Sequence, residues 1–117
     1  MGKEKAKADL LPGTLDMLVL KILMRGHLHG YAIASELRDR SGGALEVPEG
    51  TLYPVLHRLE KEGLIRSHWE KVGGRRRRVY AASPTSQNAL RERVQSWQRL
   101  SGAIDAVFGP SPEGAAD

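Results

Sequence analysis

The chain has 117 residues, 40% of them hydrophobic and 27% charged, which is enough for one domain with a modest core and excludes a wholly disordered chain. It contains no cysteine, which excludes disulfides and thiolate metal sites and fits a cytoplasmic protein. Of the net charge of +4, residues 57–80 carry +5 (eight Lys and Arg against three acids), and such a local positive patch is typical of a protein that binds a polyanion.

The first predicted element is a helix from about Leu15 to Arg25, which follows a tail at residues 1–9 that we expect to be flexible and basic. We expect Thr14 to be the N-cap of this helix and Gly26 to end it. Two charged residues interrupt the apolar run, so the sequence predicts no membrane-spanning segment. Because the helix is apolar on nearly all sides, we expect it to be buried on two sides. Its own domain would cover one side, and a second chain is one way to cover the other.

A second helix is predicted over residues 30–40, with Tyr31, Ala34 and Leu37 on one face. The "SGG" at residues 41–43 ends it, since these residues tolerate left-handed conformations. The next segment, "ALEV", has room for a short strand only.

The third predicted helix begins near the "PEG" at residues 48–50 and ends at Gly63. Its apolar residues 52, 55, 56 and 59 follow the i, i+3, i+4, i+7 spacing of a core-facing stripe. The opposite face and its flanks suit DNA, because a helix about 10–12 Å across fits the major groove. The candidate DNA-binding residues on them are Thr51, Tyr53, Pro54, His57, Arg58 and Lys61. The alternatives are a packing role for Tyr53 and an ion pair with Glu62 for Arg58.

A β-hairpin is predicted next, because the strand-like runs "LIRSHWEK" and "RRRVYAA" flank "VGGR". Glycines at a hairpin tip allow close approach to a DNA backbone, and arginines make bidentate phosphate contacts or enter the minor groove. The candidate DNA-binding residues of the hairpin are Gly73, Gly74, Arg75, Arg76, Arg77 and Arg78. A solvated charged turn is the alternative for the arginine run taken alone.

The last predicted element is a long helix with Ser83 as its N-cap and Pro84 as its first residue, reaching about Phe108. One apolar stripe along it carries Leu90, Val94, Trp97, Ile104 and Phe108. A single chain offers this stripe too little partner surface, so we expect residues 84–109 to form a dimerisation helix. The Pro- and Gly-rich residues 110–117 are expected to be a disordered tail.

This order of elements predicts a mainly α fold with a small β-hairpin: a winged helix-turn-helix domain at residues 10–83 followed by a long C-terminal dimerisation helix. Four blocks, "LLPGTLDMLVLKIL", "LHGYAIASEL", "EGTLYPVLHRLEKEGLI" and "GGRRRRVYAASP", resemble in order and spacing the PadR family of bacterial transcriptional regulators. The resemblance runs over residues 10–85, and the single helix that follows is similar to the short PadR subfamily.

The resemblance implies a cytoplasmic homodimer that binds a pseudo-palindromic DNA operator and usually represses transcription. It also implies that the fourth helix contributes to the dimer interface, for which the candidate residues are Leu15, Leu18, Leu90, Val94, Trp97, Ile104 and Phe108. In some multidrug-sensing members a tryptophan on that helix lines a pocket between the subunits. Trp97 stands at the corresponding place and either binds a small aromatic effector or only packs in the dimer core.

No enzyme, cofactor or metal site is predicted. His27 and His29 form a His-x-His pair, but no cysteine or nearby carboxylate cluster completes a metal site. The sequence also lacks a nucleophile–base–acid grouping and a phosphate-cradling motif. The alternative to a DNA-binding regulator is a winged-helix module for protein or RNA interaction, in which the basic hairpin meets another acidic surface.

Overall fold

The computed structural model describes residues 13–110. Within that part of the chain the elements are α1 (Thr14–Leu23), β1 (Leu28–His29), α2 (Gly30–Arg40), α3 (Glu49–Lys61), β2 (Ile65–Val72), β3 (Arg75–Ala82) and α4 (Ser86–Phe108). The three strands form one antiparallel sheet in the order β1-β3-β2. This is a mainly helical winged-helix fold with a long C-terminal helix, which confirms the predicted fold class. The tail predicted at residues 1–9 and nearly all of the tail predicted at residues 110–117 lie outside the described residues.

The core lies between α1, α2 and α3 and is closed by the first residue of β2 and by Tyr80 of β3. The predicted apolar stripe of α3 is confirmed, since Leu52, Val55, Leu56 and Leu59 are all buried. Side chains spaced at i, i+3, i+4 and i+7 share one face of a helix, so burying that stripe leaves the polar face of α3 on the outside.

Most of the apolar side chains of α1 are buried by other elements of the same chain. α1 packs against α2, α3, β3 and α4, and six of its apolar side chains are buried: Leu15, Met17, Val19, Leu20, Ile22 and Leu23. Other elements of the same chain therefore supply much of the burial that was expected for this helix. Leu18 remains partly exposed.

Two predicted helix starts differ from the structure. Gly13, with φ of 85°, is the N-cap residue of α1, and Thr14 is the first helical residue. No side chain of the described residues makes a capping hydrogen bond at this end of the helix. α4 begins at Ser86 rather than at Pro84. The Ser83 hydroxyl, predicted to cap α4, instead donates a hydrogen bond of 2.7 Å to the carbonyl oxygen of Gly63. The serine therefore joins the base of the hairpin to the end of α3.

The short strand was predicted in the wrong place. The "ALEV" segment forms no strand, whereas β1 pairs with β3 through Leu28 opposite Tyr80 and His29 opposite Val79. A two-residue strand has no periodicity to read from sequence, which explains the miss. On α2, Ile33 and Leu37 are buried, whereas Tyr31 is 63% exposed.

α4 starts against the core and ends in solvent. Leu90 packs against the core in its second turn, whereas Val107 and Phe108 in its last turn are 83% and 82% exposed. The helix reaches Phe108 as predicted. No helix among residues 13–110 is both long enough and apolar enough to cross a membrane.

Candidate nucleic-acid interface

The outward face of α3 carries the side chains that the sequence assigns to DNA binding. Tyr53, Pro54, His57 and Lys61 are exposed, and Thr51 is half-buried at the edge of this face. Among residues 13–110, His57 and Lys61 have no ion-pair or hydrogen-bond partner. Their polar groups are therefore available to a ligand without breaking an internal contact.

Tyr53 lies over the start of α2. Its ring fits there because Gly30 has no side chain: a Cβ at Gly30 would lie 2.9 Å from the Tyr53 hydroxyl oxygen and 3.1 Å from a ring carbon. The Tyr53 side chain is still 42% exposed. The space left by the missing side chain, called the notch at Gly30 below, therefore orients the Tyr53 phenol while it remains accessible. Sequence reasoning missed this role of the glycine.

Arg58 has an internal partner that the sequence did not suggest. Its guanidinium donates a hydrogen bond to the carboxylate of Asp16 on α1, whose side chain is only 6% exposed. The same carboxylate lies 4.0 Å from Arg93 of α4, which also lies 3.6 Å from Glu62. In place of the Arg58–Glu62 ion pair that was the alternative for Arg58, the structure has an Asp16-centred network that joins α1, α3 and α4.

The charge of Arg58 is stabilised by this network. The hydrogen bond from Arg58 to Asp16 is the main cause that raises the pKa of Arg58, partial burial opposes it, and the negative charges of Asp16 and Glu62 add to the rise. Asp16 was recognisable in the sequence as the one acid inside an apolar helix. Its partner, 42 positions away, was not.

The hairpin of β2 and β3, called the wing below, turns at Gly73 and Gly74 as predicted. Their φ values are 58° and 79°, and a two-residue turn with two positive φ angles matches the right-handed twist of the strands. The register places Val72 opposite Arg75 and Trp69 opposite Arg78. All four arginines therefore belong to β3 rather than to the turn.

The arginine run divides between the two faces of the wing, because side chains alternate along a strand. Arg76 and Arg78 share a face with Trp69, and their guanidinium carbons lie 4.7 and 5.3 Å from its ring centroid. Arg78 also donates a hydrogen bond of 2.9 Å to the Ser67 hydroxyl and lies 3.5 Å from Glu60 of α3. This face of the wing is therefore the one joined to α3.

Arg75 and Arg77 lie on the other face of the wing, and Arg77 is near the strand β1 that pairs with β3. Arg77 Nη1 is 3.5 Å from His29 Nε2. Partial burial and, to a smaller extent, the Arg77 charge lower the pKa of His29. Both effects favour the uncharged form of the imidazole beside Arg77.

The predicted stripe on α4 splits into two parts. Leu90 and Val94 are partly buried, whereas Trp97, Ile104 and Phe108 are 44%, 43% and 82% exposed. Trp97 borders a groove of about 150 Å³ between the start of α1 and the middle of α4. The groove is lined by Gly13, Thr14, Met17, Arg93, Ser96, Trp97 and Leu100.

The two histidines of the His-x-His pair have different neighbours. The ring of His27 meets His68 edge-on at 5.7 Å between centroids, while His29 turns toward Arg77. No group of three or more His, Cys, Asp or Glu side chains with metal-binding geometry occurs among residues 13–110.

Comparison with known proteins agrees with this arrangement. The family model of the PadR-like transcriptional regulators matches residues 19–92. The chain is 43% identical over 77 residues to a transcriptional regulator of Mycobacterium tuberculosis, covering 66% of this chain and 69% of that protein.

Two solved structures have the same fold. A PadR family transcriptional regulator from Eggerthella lenta superposes with a TM-score of 0.74 at 33% identity, covering 85% of each chain. A transcriptional regulator from Clostridium thermocellum superposes with a TM-score of 0.75 at 28% identity, covering 80% of this chain and 92% of that one. From the winged-helix fold, the basic wing beside α3 and these matches, we conclude that the chain belongs to the PadR-like family of transcriptional regulators and is not an enzyme.

Proposed function

We propose that the chain is a transcriptional repressor that binds a pseudo-palindromic DNA operator as a homodimer, with α3 in the major groove and the wing on the DNA backbone or in the minor groove. One observation carries this proposal: the accessible polar face of α3 and the arginines of the wing are joined side by side. Glu60 of α3 contacts Ser67 at 2.5 Å and Arg78 at 3.5 Å. Both elements can therefore reach one stretch of duplex.

The residues of α3 take different roles in this proposal. His57 and Lys61 are accessible and lack internal partners, so they are the candidates for base edges and phosphates. Tyr53 offers its hydroxyl to a phosphate from the notch at Gly30. Arg58 is held by Asp16, so we assign it to the orientation of α3 rather than to base recognition.

The homodimer is supported by the end of α4. Its exposed apolar side chains are Trp97, Leu100, Ile104, Val107 and Phe108. A second copy of α4 offers the same apolar stripe, and a two-fold interface buries identical patches against each other. Two recognition helices related by that axis would meet half-sites about 34 Å apart, which is one turn of DNA.

An effector bound beside Trp97 would act by changing the distance between the two α3 helices of the dimer. A planar aromatic ligand in the groove beside Trp97 would change how the two α4 helices pack, and therefore the separation of the α3 helices. The ligand shifts the equilibrium only if it binds the DNA-incompetent dimer more tightly than the competent one.

The effector proposal is tested in a Trp69→Phe background, which leaves Trp97 as the single tryptophan. Planar aromatic cations should quench its fluorescence and weaken operator binding, and Trp97→Ala should abolish the weakening. If Trp97→Ala keeps compound sensitivity, or only breaks the dimer, the residue is a packing residue.

DNA binding itself is tested by fluorescence anisotropy with a labelled duplex from upstream of the chain's own gene and a scrambled duplex of equal length. Wild type should prefer the upstream duplex, and His57→Ala should lose much of that preference. Arg91→Ala is the control, because Arg91 is exposed on α4 and pairs only with Asn88 among the described residues. Equal binding of the scrambled duplex and of an RNA duplex would contradict an operator-binding function.

A further inference from the structure

Trp69 on β2 has no assigned role in the DNA interface, although it is 52% exposed on the wing, opposite Arg78 of the arginine run. Burying part of an indole normally stabilises a fold, so an exposed one on a wing calls for a different explanation. Two guanidinium groups cover part of its ring, one from Arg76 and one from Arg78. The ring therefore lies inside the positive patch and not beside it.

The two arginines are held to different extents. Arg78 lies over the Trp69 ring, donates a hydrogen bond to Ser67 and lies near Glu60, so three contacts hold it in place. Arg76 has the Trp69 ring as its only partner among the described residues. A guanidinium held over an aromatic ring by a cation–π contact spends none of its N–H donors on hydrogen bonds to that ring, so they stay available to a phosphate. Arg76 is thus oriented and still able to donate.

From this geometry we propose that Trp69 is a positioning residue for DNA binding, which presents Arg76 to a phosphate on the side of the wing that adjoins α3. The chain of contacts runs from Glu60 on α3 through Arg78 to Trp69 and then to Arg76. The four-arginine run is therefore not one equivalent patch. Arg75 and Arg77 belong to the opposite face of the wing, where Arg77 contacts His29.

This inference rests on the proposed function, and the size of the expected effect follows from the cation–π contact. A cation–π contact at an exposed site accounts for about a two- to fivefold change in affinity. The loss of one phosphate contact lowers the slope of log K against log salt concentration by about 0.9. Trp69→Leu keeps a bulky apolar residue in the strand but removes the aromatic face. It should therefore weaken DNA binding about two- to fivefold, and Arg76→Gln should lower the salt slope by about 0.9.

The test is a double-mutant cycle on a short mixed-sequence duplex, with Trp69→Leu introduced into wild type, Arg76→Gln and Arg75→Gln. Arg75→Gln is the matched control, because it removes the same charge from the same strand on the opposite face. Trp69→Leu should have its full effect in the Arg75→Gln background and almost none in the Arg76→Gln background. Equal effects in the two backgrounds would overturn the inference. Trp69→Phe, which retains an aromatic face, should recover part of the affinity.

A second measurement leaves Trp69 in place and does not depend on the folding of its variants. In Trp97→Phe protein the tryptophan fluorescence comes from Trp69 alone, and it should change when DNA places a phosphate against the guanidinium that lies over the ring. Unchanged emission at saturating DNA would also overturn the inference. If wild type binds no duplex even at low salt, the proposed function fails instead, so the two failures are distinguishable.

Discussion

Asp16 is the residue whose replacement tests the network between α1, α3 and α4. Its buried carboxylate accepts a hydrogen bond from Arg58 and lies 4.0 Å from Arg93. A hydrogen bond to a charged group contributes about 1.5–3 kcal/mol to stability. The Arg58 side chain is 47% exposed, so water replaces part of the lost contact. We therefore expect Asp16→Asn to lower the free energy of unfolding by about 1–2 kcal/mol.

Urea denaturation of four proteins measures this effect: wild type, Asp16→Asn, Arg58→Gln and the double variant. The double variant should lose little more than Asp16→Asn alone, because both changes remove one interaction. Asp39→Asn is the matched control, since its ion pair with Arg38 is exposed and should contribute under about 0.5 kcal/mol. A loss for Asp16→Asn no larger than for Asp39→Asn, or strictly additive losses at 16 and 58, would refute the reasoning.

Three further predictions concern single side chains. His57→Ala should relax base preference at one position of each half-site by about 1–3 kcal/mol if the imidazole reads a base edge, measured as affinity for point-substituted operators. Gly30→Ala should displace the Tyr53 ring and weaken DNA binding as much as Tyr53→Ala; full affinity in Gly30→Ala would contradict the role of the notch. The pKa of His29 is lowered below its ordinary value of 6.5 in the folded chain, so the unfolded chain takes up its proton first as the pH falls. Stability should therefore decrease as the pH falls through 6.5 toward the folded pKa, and His29→Gln should show a smaller decrease in urea denaturation across that window.

The sequence predicted the elements that carry a strong local signal. The 3.6-residue period gave the buried stripe of α3, and two adjacent glycines between strand-like runs gave the wing turn. The errors lie where local signals are absent or ambiguous. β1 is too short to show a periodic pattern of apolar residues. Ser83 is of a residue type that favours the N-cap, but its hydroxyl donates a hydrogen bond to the carbonyl oxygen of Gly63 instead.

The candidate site was predictable as a set of residues but not as a set of contacts. The polar face of α3 follows from its buried face. The pairing of Arg58 with Asp16 needs the packing of α3 on α1, and the division of the arginines between two faces needs the register of β2 and β3. Such long-range geometry distinguishes Arg58, which has a buried partner, from Lys61, which has none among residues 13–110.

The most direct test of DNA recognition by α3 and the wing is selection of bound duplexes from a random-sequence pool by the wild-type protein. We predict enrichment of two inverted half-sites whose centres lie about 10 base pairs apart, as two α3 helices one turn apart require. The same selection with His57→Ala should return the same spacing with a degenerate position in each half-site. Recovery of no common motif by the wild-type protein would contradict recognition of an operator by this surface.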